Sequence, residues 1–417
     1  MADLKNYSIV TASYWGFTIT DGALRMLVLL HFHALGYAPL DLAFLFLLYE
    51  AMGILTNFFG GWIGARFGLR STLFSGLFIQ IVALGMLAAL PEGLTVGLSV
   101  IYVMAAQALS GIAKDLTKMS SKSAVKLVVP GEGHALLFKW VSLLTGSKNA
   151  LKGFGFFVGG FLLQTIGFAE ALLSMAAGLF VILGVAVIYL KSDIGRAKGK
   201  ISRKDLFSKS RDINYLSAAR IFLFASRDVW FVVGVPVFLS SVVGWNFNEV
   251  GRFMAAWIIG YGVVQALVPK LLRRTRSSQN AARAAKIWGM ALAAATALLA
   301  SGLTGTGNQL ISNVLPGFDE AYWLIWGLII FGIIFAVNSA LHSFLIVAYS
   351  DSDKVSLNVG FYYMANAVGR LMGTLLSGLI YQYYGLFACL LVSSGMVVLA
   401  VLFTLPLAGN KATKFVP

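Results

Sequence analysis

Residues 11–33 read TASYWGFTITDGALRMLVLLHFH. The stretch is long enough to cross a bilayer as a helix, for which about 20 residues suffice. Yet Asp21 and Arg25 lie near its middle. A charge at that depth costs about 2.5–3.5 kcal/mol on insertion scales, so an ionisable pair there must be offset by partners or used in function. In a helix Asp21 and Arg25 are one turn apart, and Thr11, Tyr14 and Thr18 continue the same stripe. The result is a polar seam on an otherwise apolar rod, as expected of a substrate pathway.

The whole chain shares this character. Of its 417 residues 59% are hydrophobic and 12% charged, against about a quarter charged in soluble proteins. The mean hydropathy is +0.82, which makes it a polytopic membrane protein. With 32 Lys and Arg against 17 Asp and Glu, the formal charge is +15, but most bases fall in short polar stretches between apolar runs. The charge therefore reports topology, and nucleic-acid binding is a poor reading of it. MADLKN is not a convincing signal-peptide n-region, so the first span is expected to be retained. Cys389 is the single cysteine and cannot form an intramolecular disulfide or a multi-thiolate metal site. His31 and His33, two residues apart, point to different helix faces and read as interfacial histidines, not metal ligands. No metal or cofactor is expected.

Twelve spans are predicted, at about 7–35, 39–65, 72–90, 94–113, 137–166, 168–190, 214–241, 247–270, 285–304, 321–348, 356–384 and 386–407. The loops alternate in basic content. One set holds Arg66 and Arg70; Lys114, Lys118, Lys122 and Lys126; Lys191 through Arg211; and Lys270, Arg273, Arg274, Arg276, Arg283 and Lys286. The opposite set contains no Lys or Arg, which places both termini on the cytoplasmic side. The polar stretch KSDIGRAKGKISRKDLFSKSRDIN divides the chain into a six-helix bundle, 1–190, a cytoplasmic central loop, 191–213, and a second six-helix bundle, 214–417. Faint internal symmetry points to duplication: Asn149 to Gly153 is similar to Asn366 to Arg370, and Asp21 has a mid-membrane counterpart in Asp228. Parallel six-helix repeats resemble the major facilitator superfamily, whose fold is all-α with 12 transmembrane helices in two halves. The stretch Gly60 to Arg70, GGWIGARFGLR, is similar to the G-x-L-A-D-R-x-G-R-R loop of those carriers, with Ala65 in place of the usual Asp and Leu69 in place of one base.

The spans carry Asp21, Arg25, Glu50, Lys148, Lys152, Arg220, Arg227, Asp228 and Arg370, six bases against three acids. Lys139 and Arg252 are close enough to span ends to be left to the interface. If the nine share a cavity, an excess of cations in low dielectric favours a polyanionic substrate. Lys148 and Lys152 are one turn apart with Asn149 alongside; Arg220 and Arg227 share a stripe; Tyr363, Asn366 and Arg370 share a face. Arg grips phosphate or carboxylate bidentately and Lys acts as a point charge. The expected substrate contacts are thus Arg25, Arg227, Lys148, Lys152, Arg370, Arg220, Tyr14, Asn149 and Asn366, with Asp21 and Glu50 as proton-coupling candidates. Structural readings stand beside these. Asp21 and Arg25 can be a simple intrahelical pair, Arg220 can snorkel to the surface, and Glu50 can pair with Arg370. The Lys114 to Lys126 run reads as a solvated basic edge. Gly155 with Gly159, and Gly369 with Gly373, read as close helix packing.

Four strings narrow the resemblance: NYSIVTASYWGFTITDGALRMLVLLHFHALGY, LAFLFLLYE, QALSGIAKDLTKMSSKSAVK and LTGSKNALKGFGFFVGG. They are similar to the ArsJ family of organoarsenical efflux permeases over nearly the whole chain. That resemblance implies export of 1-arseno-3-phosphoglycerate, the ester formed when glyceraldehyde-3-phosphate dehydrogenase uses arsenate, and hence arsenate resistance at a bacterial inner membrane. One arginine each from spans one and seven resembles the organophosphate carriers of the superfamily, with Arg25 and Arg227 in those roles. Alternating access about a midplane site is the expected mechanism. Two alternatives stay open: a carrier for another organic phosphate or anionic metabolite, and an intramembrane lipid-modifying enzyme. Against the enzyme, the chain has no HExxH and no acidic magnesium site.

Overall fold

The computed structural model describes residues 4–128, 134–190, 210–271, 278–304, 309, 320–349 and 355–407. Most of the central loop (191–209) and the bases Lys270, Arg273, Arg274 and Arg276 lie outside the described residues or side chains, as do the side chains of Arg66, Lys122, Lys126 and Lys139. The elements bounded among the described residues are helices: α1 (Leu4–Ala34), α2 (Pro39–Leu45), α3 (Leu47–Ala88), α4 (Val96–Val128), α5 (His134–Ile166), α6 (Phe168–Tyr189), α7 (Arg211–Phe231), α8 (Gly234–Ser241), α9 (Phe247–Leu271), α10 (Ser278–Gly302), α11 (Glu320–Ala348) and α12 (Val355–Thr404).

These elements make twelve spans in a different grouping from the predicted one. The helix α3 contains most of span two and span three as far as Ala88, and its single non-helical residue is Gly68, at φ 77°. The helix α12 likewise contains spans eleven and twelve, broken at Gly385, at φ 71°. At these two positions the positive φ excludes ordinary L-residues, so glycine alone makes the link without a loop. Span seven is split instead, into α7 and α8. Pro236 has no N–H to offer the Val232 carbonyl, which ends the ladder at Val232 and Val233. The Ser377 hydroxyl of α12 accepts from the N–H groups of Val233 and Gly234, both at 3.2 Å. Among the described residues nine helical stretches are long and apolar enough to cross a membrane. The polar seam of α1 keeps it outside that group.

The helices divide into two compact units. The first is Met1–Tyr37, Phe44–Arg203 and Trp245–Ile259; the second is Ala38–Ala43, Lys204–Gly244 and Gly260–Pro417. Two short stretches thus count with a unit other than that of their sequence neighbours. Inside the first unit, a Cβ on Gly153 would meet Ile259 at 2.7 Å and the Ala255 carbonyl at 2.9 Å. Inside the second, Gly378 lies against the backbone of Pro39 and Leu40.

In the first unit α1 is largely buried, with Val10, Phe17, Leu24, Leu27 and Phe32 in its core. The helix α6 is peripheral and shows Phe180, Val181 and Ile188 outward, as suits a lipid-facing surface. In the second unit α7 and α8 hold the central place: 83% of the best apolar window over Arg211–Ser241 is buried, against 28% for α6.

The same crossing recurs in both units. In the first, Gly155 and Gly159 of α5 press on the carbonyls of Ile19 and Ala23 of α1. In the second, Gly369 and Gly373 of α12 press on the carbonyls of Ile221 and Ala225 of α7. These are glycine-mediated approaches of backbone to backbone. They fix the register of the repeat: residues of α1 recur 202 positions later in α7, and residues of α5 recur 214 positions later in α12. By that register Arg25 corresponds to Arg227, Thr18 to Arg220, Lys152 to Asn366 and Asp21 to Leu223. The sequence-level pairings of Asp21 with Asp228 and Asn149 with Asn366 are therefore out of register with the packing.

Candidate functional site

In the first unit the polar seam of α1 meets the start of α3. Arg25 Nη2 lies 2.5 Å from Glu50 Oε1. Its guanidinium rests over the rings of Phe46 and Tyr49, at 5.3 and 5.4 Å from their centroids. Tyr49 donates its hydroxyl to Asp21 Oδ1 at 2.5 Å, and Lys152 Nζ of α5 stands 3.7 Å from Asp21 Oδ2. The Lys114 ammonium of α4 sits 4.0 Å from the centroid of the Tyr49 ring. Asp21 and Arg25 thus take their closest partners from neighbouring helices, not from each other one turn along α1. Glu50, which the sequence offered as a partner for Arg370, serves Arg25.

In the second unit the second half of α7 meets α11 and α12. Arg227 directs both Nε (2.6 Å) and Nη2 (2.5 Å) to a single oxygen, Asp228 Oδ1. Arg370 Nε lies 3.5 Å from the other oxygen, Oδ2. Arg220 does not snorkel: it is 4% exposed. Its Nε donates to Asn366 Oδ1 at 3.1 Å, and its Nη1 to the carbonyl and hydroxyl of Ser339 at 3.2 and 3.1 Å. Its guanidinium centre lies 4.0 Å from the Phe224 ring centroid and 4.9 Å from that of Tyr362. Two guanidiniums lie on the Asp228 carboxylate, and Arg220 has neutral acceptors only among the described residues. In the first unit Arg25 and Lys152 each have a carboxylate.

The remaining expected contacts are more scattered. Lys148 and Asn149 are partly buried on α5 and Tyr14 is buried on α1, each engaged in interactions of its own. His31 stacks on Phe168 with centroids 3.9 Å apart. Among the described residues no cluster of His, Cys, Asp and Glu could hold a metal ion.

Three groups escaped the reading of the sequence. Tyr49 links Asp21 to Arg25 and Lys114, yet as one tyrosine in LAFLFLLYE it carried no mark beyond standing beside Glu50. Ser339 anchors Arg220 from an apolar span where a serine is unremarkable. Asp115 is fully buried and accepts from Thr56 and, at 3.3 Å, from Lys118, which also donates to Asn57 at 2.8 Å. Lys114 and Lys118 therefore belong to a buried network rather than a solvated edge. The acid inside KDLTK was the available signal, hidden by ending span four at residue 113.

Comparison with known proteins agrees with this architecture. A profile of the Major Facilitator Superfamily matches residues 8–343. No curated protein matches the chain. Among solved structures, a POT family transporter in complex with a thioalcohol-conjugated peptide superposes with a TM-score of 0.71 at 15% identity, covering 95% of each chain. An alanine variant of the nucleoside transporter NupG gives 0.71 at 14% identity, covering 96% of this chain and 98% of that one. At such identities the likeness is one of fold. The match over most of the sequence and the twelve-span, twice-repeated helical fold together place the chain in the Major Facilitator Superfamily, as a multi-pass membrane transporter.

Proposed function

We propose that the chain exports an anionic organoarsenical, 1-arseno-3-phosphoglycerate, by alternating access across a bacterial cytoplasmic membrane, with both termini inside, and so confers arsenate resistance. The observation that carries the anionic part is Arg220, 4% exposed and with neutral acceptors only among the described residues, in the same unit as Arg227 and Arg370, which both lie on the carboxylate of Asp228. Uncompensated positive charge in a low-dielectric interior is costly unless an anion joins it at some stage of the cycle. Arg227 and Arg25, equivalent in the repeat, are the proposed phosphate and arsenate contacts, with Lys148, Lys152, Arg370, Arg220, Tyr14, Asn149 and Asn366 as further contacts. The organoarsenical part rests on the family resemblance of the four quoted segments. Glyceraldehyde-3-phosphate dehydrogenase would supply the ester.

An inside-negative potential assists export of an anion by about 2.3 kcal/mol per net charge per 100 mV. Where protons contribute, Asp21, held by Lys152 and Tyr49, is the first proposed coupling group and Glu50 the second. Asp21→Asn is expected to abolish transport driven by a pH gradient in vesicles, and full retention would remove it from that role. Expression in an arsenate-sensitive strain tests the function itself: arsenate resistance with arsenate appearing outside is expected, and unchanged sensitivity would contradict it. Counterflow of 3-phosphoglycerate but not of glycerol-3-phosphate is expected; counterflow of glycerol-3-phosphate would favour a carrier for another organic phosphate.

A further inference from the structure

Asp228 is 1% exposed as a side chain, whereas the side chains of Arg227 and Arg370, whose guanidiniums face its two oxygens, are 12% and 17% exposed. An anion approaching this cluster meets the arginines first and the carboxylate behind them. The attachment is also a poor use of an arginine fork. Arg227 spends two nitrogens on one oxygen of its immediate neighbour in sequence, although adjacent helix positions do not face each other and the fork suits two separate oxygens. Its third nitrogen, Nη1, has no hydrogen-bond partner among the described residues. The rings of Phe224, Phe231 and Phe335 stand 4.9, 5.7 and 5.7 Å from the Arg227 guanidinium and hold it from the apolar side. The carboxylate has a built place as well: a Cβ at Gly373 would come 2.8 Å from the Asp228 Cβ.

We infer that Asp228 is a resident counter-anion that occupies the arginines in the empty carrier and is displaced from them by the substrate. The inference rests on the anion-transport reading and adds a rule of selection. A monocarboxylate offers Arg227 and Arg370 no more than Asp228 already does, and without the advantage of being tethered. A phosphate or arsenate group, with two charges and three terminal oxygens, satisfies the two forks at once. The site therefore selects dianionic oxyanion esters over carboxylates.

The test is calorimetric titration of the purified full-length protein in detergent with 3-phosphoglycerate and with glycerate. Wild type is expected to bind 3-phosphoglycerate and to bind glycerate at least about a hundredfold more weakly. Asp228→Asn keeps the shape and removes the charge, and is expected to tighten both by about tenfold or more, with glycerate gaining most. Unchanged or weakened binding of 3-phosphoglycerate by a folded Asp228→Asn protein overturns the inference. If that protein does not fold, comparison of Arg370→Gln with the Arg370→Gln, Asp228→Asn double variant carries the test. A resident competitor makes the double variant the tighter binder, and a purely structural carboxylate makes it the weaker. Binding of neither anion by wild type removes the transport reading itself and this inference with it.

Discussion

The two units share one scaffold and differ in how they hold their arginines. In both, a helix crosses another through a pair of glycines set four apart, and in both the register puts an arginine at the same place, Arg25 in α1 and Arg227 in α7. In the first unit the counter-charge comes from another helix: Glu50 of α3 is 1% exposed and lies 2.5 Å from Arg25. In the second it comes from the adjacent residue, and Arg370 shares it. A duplicated membrane scaffold thus keeps its backbone contacts and lets its charges diverge. A glycine pressed on a carbonyl leaves no room for a Cβ, whereas an ion pair can be rebuilt from whichever helix supplies the partner. The first unit's arrangement suits an arginine that meets the substrate with its carboxylate kept in place; the second's suits a site that exchanges one anion for another.

The largest expected effect tests the equivalence itself. Arg25→Ala and Arg227→Ala should each eliminate arsenate resistance even when expressed to equal levels in the membrane fraction, measured by growth and by immunoblot. Wild-type resistance in one of them would break the symmetry of roles, and in both would end the two-arginine account. Next, Glu50→Gln leaves a buried Arg25 without its carboxylate, for which about 3–5 kcal/mol of destabilisation is typical. Thermal unfolding in detergent should show a clear loss, larger than for Asp228→Asn, where the freed guanidiniums retain access to water. A larger loss for Asp228→Asn would reverse the assignment of fixed and exchangeable pairs.

Smaller effects address the scaffold. Gly159→Ala and Gly373→Ala each force a methyl against a helix backbone, at 2.9 Å from the Ala23 Cα and 3.1 Å from the Ala225 Cα. Both should lower stability by about 1–3 kcal/mol, and by similar amounts if the crossings are alike; a neutral result for either would dissolve the register on which Arg25 and Arg227 are matched. Of similar size is Ser377→Ala, which removes the hydroxyl that accepts from Val233 and Gly234 at the α7 to α8 break. About 1–3 kcal/mol is expected for buried donors left unmade, visible as a lower unfolding temperature without loss of transport.

Much of this was readable from the residues because membranes simplify the pattern. Apolar run lengths and the alternation of basic loops yield twelve spans and two halves, and the glycine pairs announce their packing. The span boundaries that failed did so where one glycine replaces a loop, at Gly68, or where Lys114 and Lys118 resembled a cytoplasmic edge although they lie beside a buried Asp115. The charged residues were identifiable, since charges inside apolar spans stand out. Their partners were not. Spacing along one helix suggested Asp21 with Arg25, but a contact such as Arg25 with Glu50 depends on how α1 meets α3. Likewise, sequence similarity aligned Asn149 with Asn366 three residues away from the register that the glycines impose, because short apolar segments align almost equally well at several offsets.

The second unit's arginines are proposed to move an organic phosphate-like anion. Counterflow of labelled 3-phosphoglycerate into proteoliposomes preloaded with the unlabelled compound tests it most directly. The expected result is transient accumulation by wild type that Arg227→Ala abolishes. Absence of counterflow in wild type, or accumulation undiminished in the Arg227→Ala protein, would contradict it.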